Sequence, residues 1–480
     1  MADDTTQQPA GQRLAPGQQI DGFILGERLH QGGMASLWEV KWADPAQDPT
    51  GGLPLLMKVP RIKGGEDPAT IVGFEVEQMI MPRLSGPHVP RYVARGDFIR
   101  QPYVVMEQLP GETLKARFDQ APLHVDEVTQ IGIRVAQALH ALHNQHVVHL
   151  DIKPSNIMFR ASGEAVLVDF GLSRHDQLPD LLEEEFTLPM GTGPYMSPEQ
   201  VQFVRNDPRS DLFALGVMMY HLATGERPFG QPNSVAGLRK RLYTDPVPPR
   251  TLVPTLPRWF QEVVLRCLEV DPAQRYQSAA QLALDLQNPD QVALTERAEK
   301  RKAAGSFTTL GRWFKAMGAD PRQDGTATEQ LDKSPIIMVA VGVKSSTPEL
   351  DTKLRATVRR ILQIEPGARL ACVSVMKTNR VGMDKLTDEQ GNSLHVNQLV
   401  AIKHWARPLQ QGLGMDDQRL TFHVLEAPDT ASALVEFATR NQVDHIVMGA
   451  RGNSAMRRYL GSVSAQVVAE AECSVTVVRV

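Results

Sequence analysis

The sequence predicts a multidomain chain, an α+β domain followed by a small doubly wound α/β domain with a parallel sheet. Three observations carry this. Short strand-like apolar runs begin at Phe23 and give way after Leu123 to apolar residues at three- and four-residue spacing. A stretch rich in Gly, Asp, Arg, Lys and Thr then replaces the periodicity over 289–333. Beyond Ser334, five apolar runs alternate with helical patterns, as a parallel sheet covered by helices requires. A chain of 480 residues holds two to four domains at about 100–200 residues each.

Composition narrows the function classes. Lys and Arg number 51 against 55 Asp and Glu, a formal charge of −4, which excludes a basic nucleic-acid coat and argues against an anionic-membrane seeker. Apolar residues at 42% and charged residues at 22% describe ordinary globular material. Cys267, Cys372 and Cys473 are scattered and make neither a disulfide framework nor a zinc knuckle, which points to a reducing compartment. No apolar run approaches the ~20 residues of a bilayer span, and the polar, acidic start lacks a secretory pattern. The expectation is a soluble cytoplasmic protein with no membrane span and no nucleic-acid partner.

In chain order, residues 1–19 carry Gln, Gly and Pro with few large apolar side chains and read as a disordered tail. Strands are expected at Phe23–Leu25, Leu37–Val40, Leu55–Val59 and Tyr103–Met106, with an exposed loop over 43–54. Val128, Ile131, Val135, Leu139 and Leu142 mark an amphipathic helix, and helical patterning continues to Gln287. This gives a domain over 20–288, a linker over 289–333 and a second domain over 334–480. In the latter, strands near 336–341, 370–375, 420–425, 445–448 and 475–480 alternate with helices near 349–364, 395–411, 431–440 and 456–470.

Chemistry enters at two short blocks. His149-Leu-Asp-Ile-Lys-Pro-Ser-Asn156 and Val168-Asp-Phe-Gly171 together supply two carboxylates, a lysine and an asparagine. Phosphoryl transfer needs such groups, as metal ligands, a phosphate-neutralising cation and an acceptor that orients the attacking hydroxyl. Further blocks lie outside this centre: Tyr103–Leu114 before it, and Gly191–Glu199, Asp211–Gly216, Thr224–Phe229 and Asp271–Arg275 after it. On these blocks, residues 20–288 resemble a bacterial Ser/Thr protein kinase of the eukaryotic-like type.

The resemblance implies a bilobal fold and a role for each matching position. Lys58 would reach the ATP phosphates, and Glu77, in a helix expected to end near Pro87-His88, would be its ion-pair partner. Asp151 would orient the substrate hydroxyl and Lys153 would neutralise the transferring group. Asn156 and Asp169 would hold Mg²⁺, with Mn²⁺ as an alternative. The nucleotide would lie under the turn of His30, Gly32, Gly33, Met34 and Ala35, against the hinge residues Met106 (the gatekeeper), Glu107 and Leu109. Substrates would be proteins, the chain itself included. The alternative is a pseudokinase-type nucleotide-sensing scaffold without catalysis.

Two positions depart from the family pattern. His30 and Ala35 stand where its first and third glycines would be, so weaker nucleotide binding or slower turnover is expected. Leu150 replaces the arginine that reads a phosphorylated activation loop, while the loop carries its own charge at Glu183-Glu184-Glu185. Activity without loop phosphorylation, at Thr187 or Thr192, or control from elsewhere, is the expectation.

Val443–Gly452, Gly461-Ser462-Val-Ser464 and Val475–Val478 form a second constellation. A glycine turn at a strand end and a Gly-Ser at a helix start aim N–H groups at an anion. On these residues 334–480 resemble the universal stress protein family, with a Rossmann-like sheet. The resemblance implies an adenine nucleotide on Gly449, Gly452, Gly461 and Ser462, and a homodimer through the last strand. Gly342 stands where nucleotide-binding members carry an aspartate, so a module that binds nothing stays open beside the nucleotide reading.

Overall fold

The computed structural model describes residues 14–32, 34–61, 68–98, 100–185, 189–232, 234–302, 334–343, 346–378, 393–450 and 461–479. Residues 1–13 of the tail expected over 1–19, most of the expected linker, Gly33, Thr187 and Gly452 lie outside the described residues, whereas 14–19 are ordered and Gln19 begins a strand.

The described residues form two compact units. The first runs to Pro254 and includes Cys267–Gln274 and the end of the segment before 303. The second comprises Thr255–Arg266, Arg275–Lys300 and everything described from 334 on.

In the first unit, β1 (Gln19–Ile20), β2 (Phe23–Gln31), β3 (Ala35–Trp42), β4 (Leu55–Pro60), β5 (Tyr92–Arg95) and β6 (Val104–Glu107) make one antiparallel sheet in the order β1-β2-β3-β4-β6-β5. Alternate residues of these strands, Phe23, Leu25, Trp38, Val40, Leu55, Met57, Val59 and Val105, fill one core. The helix α1 (Pro68–Ile80) carries Glu77. It stops at Ile80, earlier than the sequence suggested. Pro82 has no N–H to extend an α-helical ladder, and only a 3₁₀ turn, Met81–Arg83, follows.

Beyond α2 (Lys115–Phe118), the expected amphipathic helix is α3 (Val125–His143), with Val128, Val135, Leu139 and Leu142 fully buried. Two short hairpin-like pairs follow, β7 (Val147–Val148) with β10 (Arg174–His175), and β8 (Ile157–Phe159) with β9 (Ala165–Leu167). They fix the two loops that carry the chemical blocks. Then come α4 (Leu181–Glu185), α5 (Pro198–Val201), α6 (Arg209–Thr224), α7 (Val235–Arg239) and α8 (Pro249–Leu252). A capping box between Ser197 and Gln200 starts α5.

The second unit begins with α9 (Arg258–Cys267), α10 (Ala279–Gln287) and α11 (Glu296–Glu299). Buried Glu262 on α9 accepts from Thr295 N (3.0 Å), Arg297 Nε (2.9 Å) and Ala298 N (3.1 Å), which pins α11 onto α9. The strands β11 (Ile336–Ala340), β12 (Arg369–Lys377), β13 (Leu420–Ala427), β14 (His445–Gly449) and β15 (Ser474–Val478) form an all-parallel sheet, ordered β13-β12-β11-β14-β15. Its helices are α12 (Pro348–Ile364), α13 (Leu394–Leu413), α14 (Thr430–Arg440) and α15 (Ser462–Glu470).

Strand alternation sends Ile337, Val339, Leu370 and Cys372 toward α12 and α13, and Ile336, Met338, Ala371 and Val373 toward α14 and α15. Ala280 and Leu284 of α10 join the second of these cores. Gln281 of α10 also donates to Ser334 O (2.9 Å) and Gly367 O (3.2 Å). Among the described residues no helix is long and apolar enough to cross a membrane.

Candidate active site

The sheet of the first unit places Lys58 in register with Leu37 on β3 and Val104 on β6. Its Nζ lies 2.6 Å from Glu77 Oε2 and 2.8 Å from Asp169 Oδ1. Glu77 is buried, whereas the Asp169 side chain is 46% exposed and so open to a ligand. Burial opposes the Lys58 charge, but the Asp169 and Glu77 carboxylates together hold its pKa above the ordinary lysine range. Lys58 in turn pulls Asp169 down to about 2, while burial pushes Glu77 up. The Asp-Phe-Gly block is turned so that Phe170 is fully buried, its ring 5.3 Å from that of His149. Asp169 holds a positive φ of 68°, a strained backbone state of the kind concentrated at functional sites.

Asp151 is gripped from several sides. Its Oδ1 accepts from Thr192 N (3.0 Å) and Thr192 Oγ1 (2.7 Å), and its Oδ2 from Lys153 Nζ (2.5 Å) and Asn156 Nδ2 (3.2 Å). Lys153 Nζ also donates to Thr192 Oγ1 at 3.1 Å. A buried acid outside the sequence-derived site set, Asp211, supports the loop from behind. It accepts from His149 N (2.9 Å), Leu150 N (2.8 Å) and the His143 ring (2.9 Å). Thr192 and Asp211 lie in blocks that the resemblance identified, but a lone threonine or aspartate carries no signal of its own partner.

The β2–β3 turn closes through Gly32 N–H donating to Ala35 O at 3.0 Å. Arg61, just beyond β4, donates from Nη1 to Gly32 O (2.9 Å) and from its backbone N–H to Met34 O (2.9 Å). His30, next to last in β2, is in register with Leu37, Ala35 opens β3, and Met34 is exposed at the tip. On the hinge, Met106 and Leu109 are buried, and Arg160 Nη2 holds the Glu107 carboxylate at 2.8 Å. Burial would raise the Glu107 pKa, but Arg160 keeps it below the usual range.

The second unit carries a cavity of about 640 Å³ at the carboxyl ends of β11, β12 and β14. That is where strand order reverses in this sheet, the expected place for a ligand in a doubly wound fold. Gly342, Ser374, Lys377, Gly449, Gly461 and Ser462 are among its lining residues. A Cβ on Gly449 would meet Leu350 Cδ2 at 2.8 Å, so the backbone there passes close under α12. Gln398 donates to Ser374 Oγ (2.8 Å), which donates to Val341 O (2.8 Å).

The structure therefore brings Lys58, Glu77, Asp151, Lys153, Asn156 and Asp169 into two hydrogen-bonded groups within the first unit. Gly449, Gly461 and Ser462 meet around the cavity of the second unit.

Comparison with known proteins agrees with this geometry. Residues 62–285 match the protein kinase domain, and residues 333–479 match the universal stress protein family. A probable serine/threonine-protein kinase of Clostridium perfringens is 31% identical over 215 residues, 45% of this chain and 31% of that relative. A probable serine/threonine-protein kinase of Streptomyces coelicolor is 31% identical over 270 residues, 55% and 39% of the two chains. The serine/threonine-protein kinase PknB of Mycobacterium tuberculosis is 30% identical over 276 residues, 56% and 43%. The chain thus spans under half the length of these relatives.

Proposed function

We propose that this chain, which joins a protein kinase domain to a universal stress protein domain, transfers the γ-phosphoryl group of ATP to Ser and Thr hydroxyls of proteins, itself included. The observation that carries the reading is the coincidence of the Glu77–Lys58–Asp169 and Asp151–Lys153–Thr192 clusters.

Lys58, held straight by Glu77, binds and orients the phosphates. Asp151 accepts a hydrogen bond from the attacking hydroxyl and takes its proton as the oxygen–phosphorus bond forms and the bond to ADP breaks. Lys153 offsets charge on the transferring oxygens. Thr192 holds Asp151 by two hydrogen bonds and selects its rotamer. The donor set fits Mg²⁺: Asp169 keeps Oδ2 beside the Lys58-bound Oδ1, and Asn156 offers a hard amide oxygen. When bound, the metal would neutralise phosphate charge.

The scaffold alternative has no observation in its favour. Incubation of the full chain with γ-labelled ATP, beside Lys58→Met, tests the reading. Label on wild type that is absent from the variant supports it; equal labelling contradicts it.

For the second domain, the cavity lined by Gly449, Gly461 and Ser462 supports binding of an adenine nucleotide, and the β15 edge supports pairing with a second copy. Equilibrium titration of the full chain should count two nucleotides per chain, falling to one in Gly449→Val, whose side chain would press on Leu350. A single site in wild type would refute the second. Sedimentation at several concentrations tests the dimer.

A further inference from the structure

The chain's activation segment leads from Asp169 to Glu199, and the residue before the catalytic aspartate is Leu150. Leu150 is buried and apolar, with φ 62°, so the catalytic loop sends no cation from this position toward the segment. Two other cations converge there instead. Arg205, just past α5, donates from Nε to Asp180 Oδ2 at 2.8 Å and from Nη2 to Leu172 O at 3.2 Å. Arg174 on β10 brings Nε to 3.9 Å from the same Oδ2 and Nη1 to 3.8 Å from Glu183 Oε2.

Asp180 is 7% exposed at its side chain, and its second oxygen accepts from Glu183 N at 3.3 Å, at the start of α4. One carboxylate thus ties together β10, the first turn of α4 and the chain beyond α5. Leu172, whose carbonyl Arg205 also holds, follows directly on the Asp-Phe-Gly block. The same segment continues to Thr192, which grips Asp151.

We propose that Asp180 is the positioning residue of the activation segment, supplying the fixed negative charge that Arg174 and Arg205 need, so that transfer requires no prior phosphorylation of that segment. This rests on the kinase reading above. A buried carboxylate hydrogen-bonded to a guanidinium is strongly directional, and an added phosphate would act through the same kind of pairing. Here the acid is in the sequence, so the arrangement is present as the chain folds. The Glu183–Glu185 run singled out in the sequence contributes Glu183, while the buried anchor lies three residues earlier.

The test compares steady-state transfer by full-length wild type, Asp180→Asn and Asp180→Glu, each before and after treatment with a Ser/Thr phosphatase. The expected result is wild-type activity unchanged by the phosphatase. In Asp180→Asn kcat should fall about tenfold or more while KM for ATP changes little, and in Asp180→Glu part of kcat should return. A merely structural pair would lower the melting temperature without this split. Should Asp180→Asn fail to fold, Arg205→Gln against Arg205→Lys removes the pair from its other side, with the same ordering of kcat expected.

Wild type that loses activity on phosphatase treatment, or neutral variants with wild-type kcat, overturns the proposal. Wild type that transfers no label at all instead overturns the kinase reading beneath it.

Discussion

Arg369 at the start of β12 and Asp285 on α10 form a buried ion pair, each side chain only 3% exposed. Asp285 also accepts from Tyr276 Oη at 2.7 Å, and Arg369 donates to Gln281 O at 3.1 Å. Asp285 is the last residue matched to the protein kinase domain, and Arg369 lies within the stress protein match. Both belong to one compact unit. Replacing Arg369 by Met should cost about 3 kcal/mol, because the buried carboxylate loses its closest cation and keeps only Arg266 Nη1, 3.9 Å from its other oxygen. Pairing it with Asp285→Leu should recover part of the loss. Urea unfolding of the four chains of this cycle measures both effects.

The Arg61–Gly32 contact makes a second prediction. With His30 and Ala35 in the turn, a side chain from outside it holds the Gly32 carbonyl. Arg61→Ala should raise KM for ATP several-fold and leave kcat within about twofold, with Arg61→Lys in between. Ala35→Gly should lower KM by freeing the turn. Initial-rate kinetics over a range of ATP concentrations decides both.

Thr192 reaches both Asp151 and Lys153 through one hydroxyl. Thr192→Ala should lower kcat by about 10- to 100-fold, and Thr192→Ser, which keeps the hydroxyl, should retain most of it. Loss of activity in both would point to the methyl group and packing instead.

Acid should unfold the second unit through His423. Burial first, and the neighbouring Arg369 next, depress its pKa to about 3 from 6.5. The unfolded chain therefore binds a proton between these values that the folded chain refuses, and stability falls as pH drops below about 6.5. The slope from this group is about 1.4 kcal/mol per pH unit. Asp444, raised by burial to about 6, works in the opposite direction, gaining stability between pH 6 and 4. In His423→Phe the loss between pH 6 and 4.5 should shrink by about that slope. Denaturant midpoints at several pH values measure it.

The second domain was the more legible of the two by pattern alone. Its central strands β11 and β14 are almost wholly buried apolar runs, and its helices α12 and α14 show clean apolar stripes with recognisable caps, Thr347 and Asp429, at their starts. The first unit hid more. β5, with the sequence Tyr-Val-Ala-Arg, is a half-buried edge strand without alternation, and it is absent from the strands expected from the sequence. α6 is buried almost all round, so its period is invisible.

The proposed site residues Asp151, Lys153, Asn156 and Asp169 were readable because their spacing is local in two loops, whereas their supports are not. Asp211 lies 61 residues from the Leu150 N–H that it accepts from, and Asp180 lies 25 residues from Arg205. Neither pairing leaves a trace in local sequence. That α10 completes the core of the parallel-sheet domain was likewise beyond periodicity, since an apolar face does not say which partner covers it.

The central claim is that Asp151 and its neighbours transfer phosphate and do not only bind it. Single-turnover transfer of γ-labelled phosphate, with ATP affinity measured on the same samples, compares wild type with Asp151→Asn. The account predicts ATP affinity within a few-fold and transfer slowed by about a thousandfold or more. Transfer at the wild-type rate in Asp151→Asn would contradict it.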